Sequence, residues 1–173
     1  MSDLAPWEKP TLVGTLVTLR PYQSTDADAA WEMVNDPEGR ALTGTTASFT
    51  LQQIHDWVGS RADAPERLDL VIVENATGEF AGEAVLNEFN PIEQSANFRI
   101  VLRGPAWFGR GLGSEATELT ARHAFDRIGL KRLTLDVRED NQRAIRAYQK
   151  AGFVPTGAFE EGGFTWVDME LTN

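Results

Sequence analysis

Three glycines alternate with other residues in a short loop near the middle of the chain: Gly109, Gly111 and Gly113. The pattern that follows, from about Ser114 to Ile128, is typical of a helix. Glycine lets backbone N–H groups approach a ligand closely, and the first N–H groups of a helix have no partners inside it. The segment therefore predicts a phosphate or pyrophosphate site, although a tight turn that only requires glycine would have the same sequence.

Two known phosphate motifs do not fit this loop, although basic residues flank it. Arg103 and Arg110 can add positive charge to an anion site. The P-loop pattern fails because no Lys precedes Ser114, and the dinucleotide fingerprint fails because its third glycine would fall on Ser114. The loop therefore indicates an anionic ligand without matching either motif.

A second group of candidate residues lies on the next predicted helix, from about Asn141 to Lys150. Its residues Asn141, Ala144, Ile145 and Tyr148 are spaced so that they share one face. An amide and a phenol among apolar residues can hydrogen-bond a buried ligand, and a phenol can give a proton to a leaving thiolate. The alternative is an Asn that caps the helix and a Tyr that packs in the core.

Together these segments resemble the GNAT superfamily of N-acetyltransferases. The resemblance rests on residues 109–116 (GRGLGSEA), 133–137 (LTLDV) and 141–153 (NQRAIRAYQKAGF), which occur in the order and spacing of that family. It implies the GNAT fold and an acetyl-CoA cosubstrate held between two parallel strands in the middle of the sheet. The implied reaction is direct attack of a primary amine on the thioester in a ternary complex, without a metal.

The resemblance also implies roles for individual residues. Backbone groups near Val101 and Leu102 would pair with the pantetheine arm, and Asn141 would contact the cofactor further along. Tyr148 would protonate the departing thiolate. The cofactor's pyrophosphate would lie on the loop and the helix start, whose residues are Phe108, Gly109, Arg110, Gly111, Leu112, Gly113 and Ser114.

The loop departs from the commonest family pattern, since Phe108 stands where many members carry Gln or Arg. The run 107–111 (WFGRG) is instead similar to the branch of Rim-type ribosomal-protein N-terminal acetyltransferases and spermidine acetyltransferases. That branch often has Glu in the strand before the loop, where this chain has Asn97. The general base is therefore open between Glu83, Glu88 and a chain of water molecules, and either carboxylate would otherwise be a solvated surface group.

The acceptor amine also stays open. The second helix is similar to that of aminoglycoside 6′-N-acetyltransferases, so polyamines, aminoglycosides and protein N-termini are all candidates. Trp31, Trp57 and Trp166 fall in variable regions and either line an acceptor pocket or pack in the core. The rival functions are a non-catalytic acyl-CoA-binding or regulatory domain with the same fold and a nucleotide-binding protein that uses the glycine loop.

The elements that must position these residues follow from hydrophobic periodicity. Strands are predicted at 13–20, 68–74, 80–86, 96–102, 133–137, 153–159 and 164–171, and two further helices at 26–34 and 51–58. Thr25 or Thr50 would cap those two helices. The order β-αα-βββ-α-β-α-ββ predicts an α/β GNAT domain with a mixed central sheet, spanning residues 1–173 as one domain.

Composition limits the function classes. The chain has 173 residues, a net charge of −10 and no Cys, which excludes disulfides and thiolate metal sites and disfavours nucleic-acid binding. Residues 1–100 carry 6 basic and 16 acidic residues, whereas residues 101–173 carry 10 of each. The acidic half would attract a cationic substrate, unless the charge serves only solubility.

The sequence gives no sign of a metal centre or a membrane segment. His55 and His123 have no partners at metal-ligand spacing, so no metal is expected. No apolar run is long enough for a transmembrane helix, and the N-terminus lacks the layout of a signal peptide. We therefore expect a cytoplasmic protein without a membrane or nucleic-acid partner, and the resemblance is compatible with a homodimer.

Overall fold

The computed structural model describes residues 7–173, whose strands form one eight-stranded sheet. The strands are β1 (Leu12–Val13), β2 (Val17–Pro21), β3 (Leu68–Glu74), β4 (Phe80–Asn90), β5 (Ser95–Leu102), β6 (Arg132–Arg138), β7 (Val154–Glu161) and β8 (Phe164–Thr172). Their order across the sheet is β1-β2-β3-β4-β5-β6-β8-β7. All neighbours are antiparallel except β5 and β6, which are parallel, so the predicted α/β class with a mixed sheet is confirmed.

In the described part of the chain, five α-helices cover the two faces of the sheet. They are α1 (Ala27–Val34), α2 (Pro37–Thr43), α3 (Leu51–Ser60), α4 (Leu112–His123) and α5 (Gln142–Lys150). The helices α1 and α3 pack with Val71 and Phe80 on one face, whereas α4 and α5 pack on the larger apolar core of the other face. Each face of the central strands is therefore buried beneath helices.

The N-terminal strand differs from the prediction. The predicted strand 13–20 is broken by a turn, and β1 folds back antiparallel on β2, so that Val13 pairs with Thr18. The reversal is closed by the Gly14 N–H, which donates to the Val17 carbonyl at 2.8 Å. The Glu115 carboxylate on α4 accepts the Leu16 N–H at 2.7 Å, and this long-range contact was not visible in local periodicity.

The short helix α2 is absent from the predicted element order. Asp36 caps it by accepting the Gly39 N–H at 2.8 Å, Pro37 occupies its first turn, and Gly44 ends it with φ 67°. The Asp36-Pro37 pair is a usual helix start that the apolar pattern did not reveal, because no residue of α2 is buried. Of the two predicted caps, Thr50 caps α3, whereas Thr25 lies inside a short 3-10 turn and caps nothing.

The helix after the glycine loop begins earlier than predicted, at Leu112 instead of Ser114. Gly113 is consequently part of the helix and not of the loop. The helix continues through a π-helical turn at Ala124–Ile128 and ends at Gly129, which is left-handed with φ 84°. The predicted end at Ile128 is therefore confirmed.

Candidate active site

A gap between β5 and β6 lies at the centre of the molecule. The two strands pair only from Ser95–Asn97 to Arg132–Thr134 and separate beyond that point. The Arg103 N–H donates to the Ala81 carbonyl on β4 at 2.7 Å. Backbone N–H groups alternate in direction along a strand, so the N–H of Val101 faces β4, as that of Arg103 does. The N–H groups of Ile100 and Leu102 therefore face the gap.

This gap opens into a cavity of about 270 Å³, here called the strand cleft. Its walls come from β5, the glycine loop, the start of α4 and the exposed side of α5. Residues that line it and that the sequence singled out are Val101, Leu102, Phe108, Gly109, Gly111, Leu112, Gly113, Ser114, Asn141 and Tyr148. The fold therefore brings nearly all the residues of the two motifs to one concave surface.

The glycine loop has the geometry of an anion site. Gly109 and Gly111 are left-handed, with φ 70° and φ 79°, and Gly111 is the residue before the first turn of α4. The first backbone donor satisfied within the helix is the Glu115 N–H, which bonds the Gly111 carbonyl at 3.1 Å. The preceding N–H groups of Gly113 and Ser114 are free for a ligand at the positive end of the helix.

The arginines beside the loop are directed elsewhere. The Arg110 guanidinium pairs with the buried carboxylate of Glu74, and the Arg103 guanidinium donates to Glu32 at 2.7 Å. Both guanidinium groups also lie near the ring of Trp107, at 5.4 Å and 5.8 Å from its centroid. Neither side chain lines the strand cleft, so in this region they serve the packing of the loop.

Positive charge enters the strand cleft from α5 instead. Arg143, Arg146 and Lys150 line the cleft, and the Arg143 guanidinium lies 3.5 Å from the centroid of the Phe108 ring. These three residues were missed at the sequence level, although their spacing of three, four and seven positions would have placed them on one helix face. They give the cleft a basic side opposite its apolar strand wall.

Tyr148 is buried, with 7% of its surface exposed, and packs edge-on against Phe98 with ring centroids 6.2 Å apart. Its hydroxyl makes no hydrogen bond to any residue in 7–173 and lies at the wall of the strand cleft. Burial, and secondarily the charge of Asp136, raises the pKa of Tyr148. The hydroxyl therefore keeps its proton at neutral pH.

The position of Asn141 is compatible with both interpretations offered by the sequence. Its side-chain oxygen accepts the Ala144 N–H at 3.4 Å and so caps α5, and the residue also lines the strand cleft. The cap fixes the first turn of the helix that carries Tyr148. Structural and ligand-binding roles are thus compatible at this position.

A larger cavity of about 500 Å³ lies on the other face of the sheet, beneath α1, α2 and α3; it is called the helix cavity. Three residues line both cavities: Gly39, Thr43 and Val101. The strand cleft and the helix cavity therefore share a wall at β5. A group held in one cavity lies close to a group held in the other.

Glu83 lines the helix cavity and is 4% exposed. The Tyr22 hydroxyl donates to its Oε2 at 2.6 Å, and the Arg99 guanidinium donates to its Oε1 at 3.1 Å. Burial, with the adjacent charge of Glu83, raises the pKa of Tyr22, which therefore stays a donor. Each carboxylate oxygen has two lone pairs, so each keeps one position for a further donor.

Among the other sequence candidates, Trp57 alone lines the helix cavity within residues 7–173. Glu88 is exposed, at the irregular end of β4, and Asn97 donates its amide to Asn87 at 3.0 Å. Of the three tryptophans, Trp57 lines the helix cavity, while Trp31 is 40% exposed and Trp166 stacks on Phe159.

Three arginines that line the helix cavity were also missed: Arg40, Arg67 and Arg99. They come from α2, from the residue before β3 and from β5, so no sequence spacing connects them. Arg67 is held by two bonds to the buried Asp69, at 2.7 Å and 2.9 Å. The cavity consequently carries more basic than acidic side chains.

Residues 7–173 contain neither a cluster of metal ligands nor a membrane-spanning helix. Within 7–173, no group of three or more His, Cys, Asp or Glu side chains is placed to hold a metal ion. In the same part of the chain, no helix combines the length and the apolar character needed to cross a bilayer.

Comparison with known proteins gives one match to a family model. Residues 17–154 match the model described as an acetyltransferase (GNAT) domain. Among curated proteins, spermidine N(1)-acetyltransferase of Escherichia coli K12 is 35% identical over 85 residues, which is 49% of this chain and 45% of that protein. The match thus spans about half the length of that relative.

Solved structures of low identity share the fold. Spermidine N-acetyltransferase from Vibrio cholerae, solved in complex with CoA and spermine, superposes with a TM-score of 0.81 at 19% identity, covering 92% of this chain and 96% of the other. A candidate ribosomal-protein-serine acetyltransferase from Vibrio cholerae gives 0.77 at 18% identity, covering 95% and 98%. The sequence match to spermidine N(1)-acetyltransferase agrees with the branch indicated by the loop, while the solved structures show the shared fold.

Proposed function

The chain belongs to the GNAT acetyltransferase family, and on this premise we propose that it transfers an acetyl group from acetyl-CoA to a primary amine. The observation that carries the proposal is the wall shared by the two cavities, at Gly39, Thr43 and Val101. A transferase without a covalent intermediate must bring two substrates together, and two adjoining cavities on opposite faces of one strand provide that arrangement.

The strand cleft fits acetyl-CoA. Its wall along Ile100 and Leu102 is apolar and presents unpaired backbone N–H groups, which suits a pantetheine arm. The free N–H groups at the start of α4 suit a pyrophosphate, and the basic side chains of α5 suit further phosphate charge. When bound, acetyl-CoA would supply the acetyl thioester and a thiol leaving group.

Tyr148 is proposed to act as the proton donor. Its hydroxyl faces the strand cleft and retains its proton at neutral pH because burial raises its pKa. A phenol whose pKa lies above that of a thiol stabilises a sulfur anion chiefly by donating a hydrogen bond. This role depends on the hydroxyl having no competing bond among residues 7–173.

Glu83 is proposed to receive the amine proton, directly or through water. It lies opposite Val101 in the pairing of β4 and β5, so it is next to the shared wall. The Arg99 guanidinium, 3.1 Å from its Oε1, holds the carboxylate beside that wall. Tyr22 fixes the orientation of the carboxylate through its 2.6 Å bond.

The acceptor is proposed to be a primary amine held in the helix cavity. The relatives are named as spermidine acetyltransferases, so spermidine is one candidate acceptor. Aminoglycosides and protein N-termini are the other acceptors that the sequence left open. The alternative of a non-catalytic acyl-CoA-binding domain is favoured by one observation, that both oxygens of Glu83 already accept hydrogen bonds. It predicts acetyl-CoA binding without turnover.

The test has two stages. Calorimetric titration with acetyl-CoA measures binding, and release of free thiol is then followed with a panel of polyamines, aminoglycosides, amino acids and short peptides. We expect saturable binding and thiol release that requires an amine. Binding without amine-dependent release would support the non-catalytic alternative, and no binding at millimolar acetyl-CoA would overturn the assignment of the strand cleft.

A further inference from the structure

The charges that line the helix cavity do not suit a polycation. Four charged side chains reach it: Glu83, Arg40, Arg67 and Arg99. Three are basic and one is acidic, and the single carboxylate is already paired with Arg99. Arg67 is likewise paired with the buried Asp69, so Arg40 supplies the remaining positive charge of this wall, whereas the protein as a whole has a net charge of −10.

The arginines keep donors for a ligand. Arg99 uses one nitrogen for Glu83, and 44% of its side chain is exposed. Arg40 donates one bond to the Val34 carbonyl at 3.2 Å and has no acidic partner within residues 7–173. A guanidinium group has five N–H donors in a planar fork that matches a carboxylate or phosphate.

The sheet register places Glu83 beside the shared wall, between Val71 and Val101 on the neighbouring strands. In the next side-chain row, Val85 lies between Asp69 and Arg99. The Arg99 guanidinium nevertheless reaches the Glu83 carboxylate, at 3.1 Å from its Oε1, so a ligand bound at Glu83 also lies near Arg99.

From this arrangement we propose that the acetyl acceptor is a small primary amine that carries an anionic group, a carboxylate or a phosphate. The amine lies at Glu83 and Val101, beside the strand cleft, and the anionic group lies between Arg99 and Arg40. The inference rests on the proposed transferase function and specifies its substrate class. It differs from the cationic acceptor that the family resemblance implied.

The experiment compares three primary amines of equal chain length: δ-aminovalerate, pentylamine and cadaverine, with anionic, neutral and cationic ends. Acetyl-CoA-dependent thiol release gives kcat/KM for each. We expect δ-aminovalerate to exceed cadaverine by at least about tenfold, since a charge-assisted hydrogen bond contributes about that factor or more. Cadaverine as the best of the three would overturn the inference while leaving the transferase function in place.

A variant pair connects the preference to the cavity. Arg40→Gln should lower the ratio of kcat/KM for δ-aminovalerate to that for pentylamine by about tenfold. Arg122→Gln, on the exposed side of α4, is the matched control and should leave the ratio unchanged. An unchanged ratio in Arg40→Gln would contradict the inference.

Direct titration tests the proposed ligand class separately from the transferase function. Calorimetry with δ-aminovalerate and cadaverine, each in the presence of CoA, measures binding without turnover. Selective binding of δ-aminovalerate with no thiol release from any amine would support the ligand class and refute the transferase function. Absence of binding by δ-aminovalerate, or tighter binding by cadaverine, would refute the ligand class.

Discussion

Glu83 on β4 lies directly opposite Val101 on β5, and Val101 lines both the strand cleft and the helix cavity. The pairing places a buried carboxylate beside the thin wall that separates the two cavities. In the proposed reaction, the attacking amine needs a proton acceptor at this point.

Glu83→Gln should lower kcat by a factor of about 10² to 10⁴, the usual contribution of a general base. The amide keeps the shape of the side chain, so acetyl-CoA affinity should stay within a few-fold. Steady-state kinetics and calorimetry measure the two quantities. Glu88→Gln is the control, because Glu88 is exposed and outside the helix cavity; equal losses in both variants would exclude a specific role for Glu83.

Tyr148→Phe should reduce kcat by about 10²-fold while changing acetyl-CoA affinity little, because the proposed role of the hydroxyl is to donate to the leaving group. Since burial raises the pKa of Tyr148, the wild-type rate should show no loss through its ionisation between pH 7 and about pH 10, the ordinary value for Tyr. A pH–rate profile of both proteins checks this. An alkaline decline near neutrality that disappears in Tyr148→Phe would contradict it.

The glycine loop offers a comparison between two glycines in the same conformation. Gly109 has φ 70° and Gly78 has φ 72°, and a Cβ at either position would meet no atom within 4 Å. Valine at either site should cost a similar amount of stability, about 1–2 kcal/mol. Only Gly109→Val should weaken acetyl-CoA binding, by about tenfold or more, because only Gly109 lines the strand cleft. Equal affinity in the two variants would place the anion site elsewhere.

Arg146 on α5 and Arg110 in the glycine loop should behave differently. Arg146→Gln removes a charge from the strand cleft and should weaken acetyl-CoA binding by about tenfold, with a smaller effect at high salt. Arg110→Gln should instead lower the free energy of unfolding by about 1–3 kcal/mol, because it leaves the buried Glu74 without its partner. Calorimetry and denaturant unfolding of both variants distinguish the roles. A larger loss of affinity in Arg110→Gln would reverse the assignment.

His123 should make stability depend on pH. It is 7% exposed, and burial lowers its pKa below the ordinary 6.5. The negative charge of Glu8 opposes this shift, and the positive charge of Arg127 adds to it. A lowered folded-state pKa means that the unfolded chain binds the proton more readily, so this contribution to stability is present above pH 6.5 and is lost as the pH falls through the folded-state pKa. Denaturant midpoints should decline from pH 7.5 towards pH 5, less steeply in His123→Gln. Equal slopes would exclude His123 as the cause.

The local motifs of the site were accessible from sequence because their geometry is local. A run of alternating glycines before a helix specifies left-handed turns and free N–H groups whatever surrounds it, as Gly109 and Gly111 show. Helical spacing likewise placed Asn141 and Tyr148 on one face. The same spacing would have identified Arg143, Arg146 and Lys150.

The sequence predictions were wrong where contacts between distant segments of the chain determine the structure. The turn that divides β1 from β2 is held by Glu115, about a hundred residues away along the chain. The helix α2 has no buried residue, so it lacks the apolar pattern on which prediction depends. Arg110 has the charge expected of a phosphate ligand. The fold instead places its guanidinium against the buried carboxylate of Glu74.

The sequence by itself determined the family, the α/β class, the loop that presents backbone donors, and the helix that carries Tyr148, since each depends on residues near one another in the chain. Only the tertiary structure decided that Glu83 and not Glu88 reaches a cavity, that this cavity adjoins the strand cleft, and that three arginines from separate elements meet in it. Strand register and helix packing set those distances, and they depend on contacts between distant segments that no local pattern encodes.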